Sequence, residues 1–103
     1  MTIAESDWRK FKEVREVALD RFCRQILGEC EEICRKEVST AHERYGELYG
    51  LLQDRDRQMS RAFDDLRRST AVHCLMLMHQ LGLVTEQEMM EFSPDIQRAA
   101  RHD

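Results

Sequence analysis

The sequence predicts an all-α protein: a long antiparallel helical hairpin plus one or two short C-terminal helices, closing into a four-helix bundle by dimerisation. Three observations carry this expectation. Charged residues make up 35% of the 103-residue chain, which holds only 4 Gly and 1 Pro, a composition of helices rather than of sheets or disordered tails. Apolar residues recur in steps of three and four over long stretches. Capping residues mark several helix starts and stops. At this length a single domain spanning 1–103 is expected, with one core.

The first helix starts near Ser6, with Thr2 and Glu5, or Ser6 alone, as its cap. Its stripe runs through Trp8, Phe11, Leu19, Phe22, Ile26, Cys30, Ile33, Ala41, Tyr45, Leu48 and Leu52, interrupted at Arg15 and Glu37. Trp8, Leu19, Cys30, Ala41 and Leu52 repeat every eleven residues, a period suited to nearly straight helix packing. Acid-first pairs at Asp20–Arg24, Glu31–Arg35 and Glu32–Lys36 mark a solvated opposite face. Gly46 and Gly50 weaken the helix, which places the turn at 50–53. A competing break lies at Ser39–Thr40, where Thr40 and Glu43 fit a capping box.

The second helix is expected from about Asp54 to Leu81, with Met59, Phe63, Leu66, Thr70, His73, Leu77 and Leu81 on its core face. Ala71–Leu81 is the most apolar stretch of the chain, and after Thr70 both faces are apolar, so this half needs neighbours on two sides. The stretch is too short to cross a bilayer, which takes about 20 apolar residues. Gly82 fits a left-handed helix ending, with Leu83 packing back on Met78. Thr85 and Glu88 form a second capping box, and Val84 against Met89 a hydrophobic staple. A short helix follows to about Phe92, and Ser93-Pro94 opens a last one. In this register Trp8, Phe11 and Val14 overhang the hairpin, and Met89, Met90, Phe92 and Ile96 cover them in part.

Cys23, Cys30 and Cys34 share one helix face. With the turn at 50–53, Cys30 would face Cys74, and Cys30, Cys34, His73 and Cys74 would make a Cys3His set suited to zinc or another soft metal. The simpler expectation is that these thiols are small core residues. His42-Glu43 opens an HExxH pattern, but Gly46 stands where the second His belongs. Neither Glu-x-x-His nor a Gly-rich phosphate loop occurs. The segment from Gly82 to Met89 has the form of a helix-turn-helix junction, yet the helix after it carries only Arg98 and Arg101 as basic residues. With 20 acidic against 16 basic residues and a net charge of −4, nucleic acid is not the expected partner.

These features predict a small non-enzymatic helical protein that self-associates, with a dimer favoured, and acts by binding another protein. The expected contact residues are Trp8, Phe11, Met89, Met90 and Phe92. A metal- or thiol-dependent sensor and a DNA-binding regulator built on the C-terminal helices are the alternative readings. No signal-peptide pattern opens the sequence, so four reduced thiols in a cytoplasmic setting are expected.

Overall fold

The computed structural model describes residues 3–101 and is all-α, with no strand among those residues. Five helices follow one another: α1 (Glu5–Cys34), α2 (Ala41–Phe63), α3 (Ala71–Gln80), α4 (Glu86–Met89) and α5 (Pro94–Arg101). A single 3₁₀ turn, Arg68–Thr70, leads into α3. None of the described helices is long and apolar enough to cross a membrane.

α1 starts without a side-chain cap, and Ser6 lies inside it. Thr2, the other expected cap, falls outside the described residues. Glu5 and Asp7 in the first turn place negative charge at the positive end of the helix dipole.

The turn is not at 50–53. α1 ends at Cys34, and Gly46 and Gly50 lie inside α2. A helical glycine costs about 1 kcal/mol but does not end a helix unless a new start is capped nearby. The capped start is Thr40: its hydroxyl accepts from the Glu43 N–H at 3.1 Å, and the Glu43 carboxylate accepts from the Thr40 N–H at 2.9 Å. These bonds hold the Glu43 carboxyl below the usual carboxylate range. Arg44 then donates to the Cys34 carbonyl at 2.7 Å, satisfying the end of α1 from the start of α2. Thr40→Ala should lower stability by about 1 kcal/mol, read as a fall in melting temperature. The eleven-residue repeat straddles this break and does not describe one continuous surface.

α1 and α2 run antiparallel. Lys36 pairs with Glu47, Arg55 with Glu29 at 2.9 Å, and Arg15 donates to the Phe63 carbonyl at 2.6 Å. Cys30 therefore lies opposite about residue 54, not opposite Cys74. Arg15, an apparent interruption of the apolar stripe, caps the end of α2 and lies 5.8 Å from the Phe63 ring centre.

A second break separates α2 from α3, so the expected helix from Asp54 to Leu81 is two helices. Arg67 is extended, and the Thr70 hydroxyl donates to the Asp65 and Arg67 carbonyls. Such local bonds give the backbone an alternative to helix. The bend also turns the chain's core face. Ala71, Cys74, Leu75 and Met78 are buried, while His73, expected on the core stripe, is exposed.

The end of α3 follows the sequence signals closely. Gly82 has φ +74°, the Leu83 N–H donates to Met78 and the Gly82 N–H to His79, the paired bonds of a Schellman ending. The Thr85–Glu88 capping box is formed, and Val84 and Met89 are both buried in the core.

α3 packs against α1, α2 and α5, making a head around Phe11, Val14, Phe22, Phe63, Leu75 and Met78. The beginning of α1 does not overhang. Phe11, Met89 and Phe92 are core residues, with Phe11 only 2% exposed, so three of the five expected contact residues offer no surface. The reason is the second break, which folds α3 and the short helices back over α1. Of the other two, Met90 is exposed, and Trp8 is half-buried with Lys12 and Arg68 beside its ring.

Polar clasps hold α4 and α5 to α1. Asp7, 6% exposed, accepts from the Ser93 N–H at 2.9 Å and from the Ser93 hydroxyl at 2.7 Å. Arg21 donates to the Leu83 carbonyl at 2.9 Å and to both oxygens of Glu88. The hydrogen bond from Arg21 holds the Glu88 carboxyl below its ordinary value. A depressed folded-state pKa contributes stability above the unfolded carboxylate pKa and loses it as pH falls through the folded value. Wild type should therefore lose more melting temperature than Glu88→Gln between neutral and acid pH.

Candidate protein-docking face

The molecule extends 52 Å along one axis and about 23 Å across it. The head occupies one end. The other end is an arm of only two helices, residues 23–34 of α1 against 41–59 of α2. Two helices form a single layer, and a layer with an apolar side needs a cover.

The arm has such a side. On α1 it carries Cys23, Leu27, Cys30 and Cys34, in steps of four, three and four. On α2 it carries Tyr45, Tyr49, Leu52 and Met59. Leu27 is 62% exposed and Tyr45 66%, and Tyr49 and Leu52 are also exposed. Tyr45 and Tyr49 stack with ring centres 6.4 Å apart. Between the helices lies a hollow of ≈ 380 Å³, lined by Cys23, Ile26, Leu27, Leu52, Arg55, Asp56 and Met59. A second, of ≈ 240 Å³, lies nearer the tip between Cys34, Ala41, Arg44, Tyr45 and Leu48.

The opposite side is charged. A hollow of ≈ 260 Å³ lies there too, but Glu29, Glu32, Lys36 and Glu47 line it around Ile33 and Leu51. Arg55–Glu29 and Lys36–Glu47 tie the two helices together. The arm is thus held by the α1–α2 seam and by ion pairs across it, and the apolar side chains of its front remain exposed.

The proposed metal ligands are not gathered. Among the described residues, no group of three or more His, Cys, Asp or Glu side chains could hold a metal ion. Cys30 and Cys34 lie on the arm, half-buried and exposed, while Cys74 is buried in the head and His73 faces solvent. The Cys74 thiol lies 3.8 Å from the Asp65 carbonyl. Burial, with the nearby Asp65 charge adding to it, raises the Cys74 pKa. That keeps the sulfur protonated, the form that neither binds metal nor attacks.

Both arginines of α5 have carboxylate partners. Arg98 pairs with Asp95, and Arg101 pairs with Glu86, which also meets His79 at 3.2 Å. α5 spans eight residues, and Ile96 and Ala100 on it are buried.

Tyr45 and Leu52 belong to the apolar stripe that the hairpin expectation buried against a longer second helix, whereas Leu27 and Tyr49 lie outside that stripe and were not expected in a contact. Only the true break at Thr40 shows that the arm has no further chain to cover it. Comparison with protein-family models, curated proteins and solved structures finds no match to the chain.

Proposed function

We propose that the chain is a non-enzymatic helical protein that acts by binding protein, with the open side of the arm as its docking face. The observation that supports this most is the one-sidedness of the arm. Large exposed apolar side chains gather on its front, whereas its back is lined mainly by charged side chains. Contiguous apolar patches rimmed by polar residues mark interaction surfaces, while scattered apolar residues do not. Tyrosines beside aliphatic side chains also match the composition of contact cores. The larger hollow is lined mainly by apolar groups, which favours binding over chemistry.

A photo-cross-linking amino acid placed at residue 27 in cells tests the reading. It should give a covalent adduct with protein, and the same group at residue 32, on the charged side, should give none. No adduct from residue 27, or equal adducts from both positions, would remove the arm as the docking face.

A further inference from the structure

We propose that the occupant of the arm's open side is a second copy of this chain, related by a two-fold axis, so that two arms form a four-helix bundle. This rests on the docking reading above and names its partner.

Shape is the first support. The face is two helices wide, so a lone helix in the groove would leave its outer rows of side chains wet. A second two-helix layer covers both rows. The face also carries knobs next to holes. Leu27 and Leu52 line the ≈ 380 Å³ hollow and are both exposed, and the exposed Tyr49 stands one turn from Leu52. In a two-fold contact each knob faces the partner's hole and the reverse holds by symmetry. Helices joined this way pack as in a four-helix bundle.

Charge is the second support. Residues 23–59 include eight acidic and six basic side chains, a net charge of −2 before counting histidine. Mixed signs at that low net charge impose little repulsion between identical arms. They also offer no attraction to a polyanion or a lipid surface.

Access is the third. Arg21, which holds Leu83 and Glu88, lies about 160° around α1 from Cys23 at 100° per residue. The α4 segment of the head therefore sits behind the arm's open side, and does not stand between two copies that meet there.

Area sets the strength. The patch is about 20 Å long and two helix diameters wide, about 400 Å² in projection on each copy. Doubled, it comes to about 800 Å² in projection, below the roughly 1,200–2,000 Å² of stable specific interfaces and in the range of weak, transient ones. The dimer is therefore a reversible one that dissociates on dilution.

Sedimentation velocity of the full chain, from micromolar to near-millimolar concentration, tests this. The expected result is a monomer–dimer equilibrium. Leu27→Glu and, separately, Tyr49→Glu should raise the dissociation constant at least about 100-fold, since each puts two charges into the apolar contact. Both sites are exposed, so the variants should keep the helical circular dichroism of the wild type. Glu32→Gln, on the opposite side, should dimerise as the wild type does. A monomer at every concentration overturns the proposal, and so does a dimer that survives both variants. If the residue-27 cross-linker captures only chains of other mass, self-pairing falls and the docking reading stands. If it captures nothing, both fall.

Discussion

Phe11→Ala is expected to destabilise the protein by about 3–5 kcal/mol. That is a large share of the 5–15 kcal/mol available to an ordinary domain. Phe11 lies one turn from Val14 and Trp8 on α1, and its ring stacks on Trp8 at 5.9 Å. It also lines a void of only ≈ 10 Å³ with Ile3, Asp7, Ala71, Val72, Leu75, Phe92 and Ile96, too small to take up slack. Truncation therefore loses the transfer free energy of the ring and leaves a cavity bounded by α1, α3 and α5. Urea titration followed by circular dichroism would show it as a fall in midpoint at an unchanged slope. A loss below about 1 kcal/mol would mean that the ring is not enclosed. It would then belong to a contact surface, as the sequence alone suggested.

The second large effect is expected at Asp7. Its carboxylate takes both the N–H and the hydroxyl of Ser93, joining the first turn of α1 to the start of α5. Asp7→Ala leaves both donors without that acceptor. Hydrogen bonds to a charged group contribute about 1.5–3 kcal/mol, and buried donors left unmet add to the loss. A total of about 2–4 kcal/mol follows, roughly 10–20 °C in melting temperature for a domain of this size. Ser93→Ala removes only the hydroxyl and should cost less, about 1 kcal/mol. The double variant should fall short of the sum of the two, because the pair is one interaction. Additive losses would show that Asp7 acts through something other than Ser93.

What was legible in advance was local. The Gly82 ending and the Thr85–Glu88 box depend on residues close together in the chain, and both are formed; Val84 and Met89, the expected staple, are both buried in the core. The Thr40–Glu43 box was equally visible, but Gly46 and Gly50 drew the turn toward themselves. A capped start decides where a helix begins, whereas glycine only lowers the stability of a helix that passes through it. The break after Phe63 had no such marker, with neither Gly nor Pro between 64 and 70. It joins the local bonds of Thr70 to a distant partner, with Arg15 taking the Phe63 carbonyl from 48 residues away. That one bend turned His73 outward, buried Cys74, and folded Phe92 onto Phe11. The candidate site changed with it. Tyr45, Leu52 and Met59 were visible as apolar stripe, Leu27 and Tyr49 were not, and which part of the stripe stays bare is a property of the tertiary arrangement.

The uneven burial along α2 has a dynamic consequence. Of its 23 residues, only Ala62 and Phe63 are buried, both at the end that joins the head. Backbone amides exchange with solvent deuterium through the cheapest opening available to them, and segments with few enclosed apolar contacts open below the global limit. Protection should therefore rise along α2 from Tyr45 toward Phe63. α3, with Leu75 and Met78 enclosed, should exchange only on complete unfolding. The arm's tip is then a reporter built into the chain. Anything that settles on Leu27 and Tyr49 should slow exchange near Tyr45 far more than it changes the rates in the head.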